Sequence, residues 1–354
     1  MVTAHNIIFR TDASVDIGAG HVMRCLTLAQ ALNERGARCR FVTRALPGNL
    51  AQRLVNEGFD VTLLPAPSGE PPVGPPAHAA WAGVDWREDA AQTRGALVDD
   101  APDWLVMDHY AFDWRWQRAA QPPGTKLMVI DDLADRRHEC DLLLDQNLGH
   151  AIDDYNGLVP DHCTRLVGPG YVLLRPEFVA ARAHALARRA GQGLRQLLIT
   201  MGGVDKTDAT SSVLRALREA PLPEDLRISV VMGSTAPALQ QVRVLAQGMP
   251  WPTEVAVDVT DMAMRMAAAD LCISAGGGTT WERQFLQLPS LVIPIAENQV
   301  DYLKLLERKN LVNLFQSPTE LINVIATGAF RKLSVDASVE YGTPKVVEWI
   351  CKLS

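Results

Sequence analysis

Short apolar runs alternate with amphipathic stretches along the whole chain. In the first half the β-prone runs lie at residues 7–9, 39–42, 61–64, 104–107, 126–130 and 141–144. A second series lies at 196–200, 227–231, 254–257, 271–274 and 291–295. Between them apolar residues recur at helical spacing, as at Val22, Cys25, Leu26, Ala29 and Leu32, and a helix is expected over 210–217. Strand runs that are apolar throughout, separated by helices, are the pattern of parallel α/β sheets. A stretch punctuated by Gly and Pro, residues 166–178, divides the two series and leads into a basic helical segment ending at Gly191-Gln192-Gly193. Two sheets are therefore expected, in an N-terminal domain over 1–180 and a C-terminal domain over 190–354. Ligands of such sheets collect at the carboxyl ends of the strands, which predicts a central cleft between the two.

The first strand runs into Arg10-Thr11-Asp12-Ala13-Ser14, then Ile17-Gly18-Ala19-Gly20-His21, then Arg24 inside the first helix. Glycines let backbone pass close to a ligand, and the exposed amides of a helix start favour negative charge. The same dipole end disfavours an imidazolium, so His21 is expected to be neutral and able to take a proton. The turn is not a dinucleotide fingerprint, because Met23 stands where G-x-G-x-x-G needs its third glycine. Further on, Asp108-His109-Tyr110 and Asp131-Asp132 leave two other strands, where each carboxylate could act on a ligand or cap a loop.

The second half repeats this logic. Met201-Gly202-Gly203 follows a strand, and Gly276-Gly277-Gly278-Thr279-Thr280-Trp281-Glu282 ends another strand and opens a helix. Bare amides at such turns can wrap a diphosphate, with a threonine hydroxyl added. Glu282 could accept hydrogen bonds from a ribose diol. Thr279 and Glu282 also stand three apart, as in a capping box, and both readings remain open. Ala296-Glu297-Asn298-Gln299 places polar residues just beyond a strand end, a usual position for substrate contacts.

The chain has 354 residues, nearly half of them apolar, and a formal net charge of −7. Apart from Arg188-Arg189 there is no basic block, which argues against nucleic acid or an anionic membrane as partner. No stretch approaches the length of a spanning helix and no secretory leader is recognisable, so a cytoplasmic protein is expected. The six cysteines are scattered without a C-x-x-C pair and are expected to be buried small hydrophobes. No cluster with metal-ligand spacing appears, so neither metal nor cofactor is called for. The Pro-rich segment 65–76 is expected to be a surface loop and has no role at this level.

These residues resemble the UDP-2,4-diacetamido-2,4,6-trideoxy-β-L-altropyranose hydrolases of pseudaminic acid biosynthesis, themselves relatives of the two-domain GT-B glycosyltransferases. The likeness is carried by Arg10-x-Asp12-x-Ser14-x-x-Ile17-Gly18-x-Gly20-His21-x-x-Arg24, by Asp108-His109-Tyr110 and by Ile130-Asp131-Asp132. It continues through Cys140-Asp141-Leu142-Leu143-Leu144, Tyr155-x-Gly157-Leu158 and Gly168-x-x-Tyr171-x-Leu173-Leu174-Arg175-x-Glu177-Phe178. Met201-Gly202-Gly203-x-Asp205 and Asn298-Gln299 complete it. The first motif is specific to the hydrolase, whereas the glycine turns of the second half are shared with glycosyltransferases at large.

The resemblance implies a GT-B fold of two Rossmann-like domains and water attack on the anomeric carbon, with UDP leaving and no metal. It makes His21 the base and Tyr110 a residue that positions the water. It places Arg10, Asp12, Gly18, Gly20, Arg24, Asp108 and His109 around the substrate. UDP would lie on Met201 to Gly203, on Gly276 to Thr280 and on Glu282, with Asn298 and Gln299 nearby. Trp281 departs from the family, whose members can carry Asn there, and the region past Ser317 matches least. A GT-B glycosyltransferase using the same UDP-sugars, or a non-catalytic sugar-nucleotide module, are the alternatives. Oligomeric state is not legible, and a monomer is compatible.

Overall fold

The computed structural model describes residues 5–98, 102–189, 193–295, 297–334 and 338–354. The side chains of Glu297 and Asn298 lie outside that description, as do Gly191 and Gln192 of the expected linker. The first seven strands are β1 (Asn6–Thr11), β2 (Arg38–Arg44), β3 (Asp60–Leu64), β4 (Trp104–Asp108), β5 (Lys126–Ile130), β6 (Leu142–Asp145) and β7 (Thr164–Val167). They form one sheet in the order β3-β2-β1-β4-β5-β6-β7, every pair parallel. The helices α1 (Gly20–Glu34), α2 (Ala51–Asn56), α3 (Trp86–Ala96) and α4 (Trp114–Ala120) lie between these strands in the chain.

Burial on both faces explains the unbroken apolar runs. Ile7 and Phe9 of β1 pack with Cys25, Leu28 and Leu32 of α1, while Ile8 between them packs with Val42, Leu105 and Trp116 in a separate core.

After α5 (Pro176–Arg189), the second sheet contains β8 (Gln196–Thr200), β9 (Arg227–Met232), β10 (Thr253–Val257), β11 (Leu271–Ala275), β12 (Ser290–Ile293) and β13 (Asn313–Leu314). Its order is β10-β9-β8-β11-β12-β13, again all parallel. It carries α6 (Ala209–Leu217), α7 (Leu239–Gln247), α8 (Met262–Ala268), α9 (Thr279–Phe285), α10 (Glu297–Arg308) and α11 (Pro318–Thr327).

The chain divides into one unit of Met1–Leu173 with Glu340–Ser354 and another of Leu174–Val339. This differs from the expected 190–354 because the last helix, α12 (Thr343–Leu353), returns to the first unit. Val346, Val347 and Ile350 are buried in the core that contains α1, and the Trp104 indole N–H donates to Ser354 Oγ at 2.8 Å. Gly342 permits the return, since a Cβ there would lie 2.2 Å from the Tyr171 carbonyl carbon.

Candidate active site

In the first sheet the strand order reverses between β1 and β4, the place where α/β sheets open a crevice at their carboxyl ends. Thr11 is in register with Asp108 there, so the turn leaving β1 meets the last residue of β4. Beyond β1, Ser14 Oγ accepts from the backbone N–H of Asp16 (3.2 Å) and Ile17 (3.0 Å). Gly18, at φ +79°, closes the turn by donating to the Ser14 carbonyl at 2.8 Å. Helix α1 starts at Gly20, which puts His21 in its first turn, with Arg24 and Cys25 three and four residues on and so on the same face.

That face meets Asp108. His21 Nδ1 lies 2.6 Å from Asp108 Oδ1, and Arg24 donates to the same carboxylate from Nε (2.5 Å) and Nη2 (2.7 Å). Arg24 Nη1 reaches Asp132 at 2.5 Å, and the Tyr110 hydroxyl donates to the same Asp132 oxygen at 2.6 Å. Burial alone would raise the Asp108 carboxyl, but Arg24 and His21 outweigh it and hold it well below the usual range. An ionised Asp108 only accepts, so Nδ1 carries a proton toward it, and in the neutral imidazole the lone pair lies on Nε2. Among the described residues Nε2 has no hydrogen-bond partner.

Tyr110 is held protonated by burial and by Asp132, which push its phenol well above the ordinary value. Its ring stands edge-on to His21 at 4.5 Å between centroids. Trp81 stacks on Tyr110 at 5.8 Å, and His78 packs against both. The His21 imidazole is thus fixed by a carboxylate on one nitrogen and by an aromatic wall.

Several residues expected around the substrate are buried among one another. Arg10 and Asp12 are fully buried, joined to each other at 2.6 Å, and Arg10 also pairs with Asp89 at 2.6 Å. Arg44 joins Asp89 from the other side at 2.6 Å, and the Trp116 indole N–H donates to Asp89 at 2.9 Å. His109 is buried as well: its Nδ1 accepts from Ala111 N–H at 3.0 Å, leaving the Nε2 proton facing Asp12 at 3.3 Å. These groups brace the turn from beneath. Asp131 is scaffold too, held by Arg136 at 2.8 Å and by the Tyr155 hydroxyl at 3.2 Å.

In the second unit the order reverses between β8 and β11, and both glycine turns leave from those two strands. Gly202 adopts φ +91° and is exposed with Gly203, whereas the Met201 side chain is buried. The adjoining Asp205 accepts from the N–H of Ala209 and Thr210, each at 2.9 Å, just before α6, whose N-cap is Asp208. At the other turn Gly276 is buried under Leu303, and Gly277 and Gly278 are exposed. Thr280 turns its hydroxyl inward to the Gly277 carbonyl at 2.8 Å. The buried Arg283 donates to the Thr279 and Thr280 hydroxyls at 3.0 and 3.1 Å.

The capping-box reading of Glu282 fails on geometry. Gly278 is the N-cap, Thr279 is already helical, and no side chain caps the helix. Glu282 instead faces Arg175 at 3.3 Å, and burial raises its carboxyl although Arg175 opposes the shift. Trp281 is buried against Tyr302, and Gln299 accepts from Ile295 N–H at 3.2 Å. Asn298 falls outside the described side chains.

Sequence reasoning missed Asp89, Arg44, His78, Trp81 and Arg175 as parts of these sites. Only the i, i+3 spacing of His78 and Trp81, in an otherwise Ala-rich tract, hinted at a shared face. Among the described residues no three His, Cys, Asp or Glu side chains converge as a metal site. No helix among them is long and apolar enough to cross a membrane.

Comparison with known proteins agrees with the two-sheet fold. Residues 197–333 match the Glycosyltransferase family 28 C-terminal domain. UDP-2,4-diacetamido-2,4,6-trideoxy-β-L-altropyranose hydrolase of Campylobacter jejuni is 24% identical over 242 residues, 68% of this chain and 74% of that protein. The spore coat polysaccharide biosynthesis protein SpsG of Bacillus subtilis is 33% identical over 132 residues, 37% of this chain and 38% of that one. The crystal structure of MurG from Acinetobacter baumannii superposes with a TM-score of 0.65 at 18% identity, covering 99% of both chains. The chain is therefore a two-domain α/β protein of GT-B fold, similar in sequence to the UDP-sugar hydrolase and, over residues 197–333, to the Glycosyltransferase family 28 C-terminal domain.

Proposed function

We propose that the chain hydrolyses a UDP-diacetamido-trideoxyhexose at the anomeric C–O bond, releasing UDP and the free sugar with inversion, in pseudaminic (nonulosonic) acid biosynthesis. The observation that carries this reading is His21: Nδ1 is committed to Asp108 at 2.6 Å and Nε2 is left as an unengaged base beside a sheet's carboxyl edge. In the proposed step a water oxygen attacks C1 and its proton passes to His21 Nε2. The C1–O bond breaks with its electron pair going to the UDP phosphate oxygen. Asp108 stabilises the imidazolium that forms, and the Tyr110 oxygen, its proton spent on Asp132, keeps lone pairs to accept from the water.

UDP leaves readily at neutral pH, so the nucleotide site has chiefly to take up charge on the diphosphate. The exposed Gly202, Gly203, Gly277 and Gly278 backbone and the Thr279 hydroxyl suit that task, with Glu282 for the ribose. No metal is required of such a site, and activity after EDTA treatment should be unchanged. The family 28 match favours a second reading, a UDP-sugar glycosyltransferase. Incubation with the UDP-sugar in ¹⁸O-water without acceptor separates the two. Stoichiometric UDP and labelled sugar are expected; UDP release only with an acceptor, or label in the phosphate, would overturn the hydrolase.

A further inference from the structure

The Pro-rich segment is built into the site rather than hung on its surface. Arg44, fixed by Asp89, donates to the Pro65 carbonyl at 2.9 Å, and Arg115 holds the Pro75 carbonyl at 2.9 Å. The segment then leads to a 3-10 turn, Ala79–Ala82, which carries Trp81. Gly83 ends that turn at φ +73°, and a Cβ there would lie 2.5 Å from the Pro67 ring, so the proline segment is pressed against the turn. On the other side Val15 N–H donates to the Pro47 carbonyl at 2.9 Å, tying the loop after β2 to the turn that delivers His21.

These contacts frame an open cavity of about 190 Å³ lined by Pro47, Pro67, Pro71 and Trp81 together with Ser14 and the exposed Asp16. The volume is below the roughly 300–1,000 Å³ of pockets that take a whole drug-sized ligand, and several times the ~30 Å³ of one water. It fits a substituent. Trp81 lines the cavity and stands 6.4 Å between ring centroids from His21, and Ser14, Val15 and Asp16 line it from the turn that leads to His21, so the cavity adjoins the elements that hold the proposed base. Ser14, at its rim, has accepted two backbone N–H groups and has its hydroxyl proton left to donate.

We propose that this cavity is the subsite for an N-acyl group of the sugar, its methyl against the prolines and Trp81 and its carbonyl accepting from Ser14. A bare ring methyl would leave the Ser14 donor unused, and an ammonium group, which has no acceptor, could not take that donor either. The inference rests on the reading of the site as one for an acylated UDP-sugar, and it gives the segment 65–76 the task of selecting that substrate.

Gly69 lines the cavity, with open space where its Cβ would point, so Gly69→Phe should fill it without disturbing His21. Calorimetry and kinetics would compare the UDP-2,4-diacetamido sugar with counterparts bearing a free amine at C2 or at C4. The wild type should bind the diacetamido sugar at least about tenfold more tightly than one of the two amines, a neutral hydrogen bond plus buried methyl surface. Gly69→Phe should remove that preference, raising KM for the diacetamido sugar while binding that amine, and UDP alone, as the wild type does. Equal affinities of the wild type for all three sugars, or a preference that survives Gly69→Phe, would overturn the subsite. A wild type that shows the preference yet releases no UDP would instead refute hydrolysis, leaving the subsite standing.

Discussion

Replacing Asp108 by Asn tests the proposed base more sharply than deleting the histidine, because it keeps the shape and removes one charge. The imidazole would lose a 2.6 Å hydrogen bond to a carboxylate, an interaction of about 1.5–3 kcal/mol when one partner is charged. It would also be left facing Arg24, whose Nη2 is 3.4 Å from Nδ1, without the carboxylate between them. At an effective dielectric of about 20 two charges some 4 Å apart repel by about 4 kcal/mol, a cost that Asp132 on the far side of Arg24 partly cancels. Together these should raise the barrier by about 2–4 kcal/mol, lowering kcat by about 30- to 1,000-fold.

The assay is acceptor-free UDP release, run with the variant's folding verified by circular dichroism. Calorimetry should find UDP affinity unchanged. A kcat within threefold of wild type, while His21→Ala is inactive, would show that the base works without Asp108. The variant should also be less stable. The Asp108 carboxyl is held below its ordinary value in the folded chain, so it stabilises the fold at neutral pH. That contribution fades as pH falls below about 3.9 toward the folded value, so wild type and variant should converge in acid.

His21→Ala itself should lower kcat by at least about 100-fold with UDP still bound, read by the same assay, and near wild-type turnover would remove His21 from the mechanism. Glu282→Gln should weaken UDP by about 1–3 kcal/mol in calorimetry, the range for a hydrogen bond to a charged group. Because burial raises the Glu282 carboxyl, its charge costs stability at pH 7, a cost absent below about 4.3, so the variant's ligand-free Tm at pH 7 should rise. A lower Tm with unchanged UDP affinity would make Glu282 an anchor for Arg175 instead. Asp89→Asn should cost about 3–5 kcal/mol, since it strands Arg44 in the interior, and lower Tm by roughly 6–20 °C. A shift under about 2 °C in a melting curve would contradict the scaffold role.

The strands that could be read in advance present apolar runs, whether covered on both faces like Ile7-Ile8-Phe9 and Leu271-Cys272-Ile273 or at an edge like β3 and β10. The two that could not lie at the other edges: β7 begins with the half-buried Thr164-Arg165, and β13 is two half-buried residues. Neither presents an apolar run. The return of α12 was invisible because its apolar face looks like that of any helix, and only the partner across the fold decides where it packs.

His21 was legible because turn, glycine and helix start are local. Asp108 could be named only as a strand-end carboxylate, since its pairing spans 87 residues. The Thr279-x-x-Glu282 spacing left a cap open because spacing does not say where a helix begins. With Gly278 as N-cap, Thr279 stands one residue too far in to form the box.

Motif spacing also hides which members of a motif touch the ligand. In Arg10-x-Asp12 to His21-x-x-Arg24, the helical pair presents its groups at the sheet's carboxyl edge, and the pair at the end of β1 turns inward. Arg10, Asp12, Arg44 and Asp89 bury two positive and two negative charges together, and such a cluster is seldom a net gain over apolar packing. What it provides is direction. Asp12 accepts from the Arg44 backbone N–H at 2.7 Å and from the Thr43 hydroxyl at 3.1 Å, fixing the end of β1 to the end of β2. Arg44 then reaches Pro65, the first residue of the segment that leads to the turn carrying Trp81. One buried network therefore sets both the turn that presents His21 and the wall that faces it. Asp89→Asn should accordingly weaken the preference for the acylated sugar as well as lower Tm, although Asp89 touches neither the sugar nor His21. Calorimetry on the folded variant reads that preference directly. If it survives intact while Tm falls, the network stabilises the domain without orienting the site.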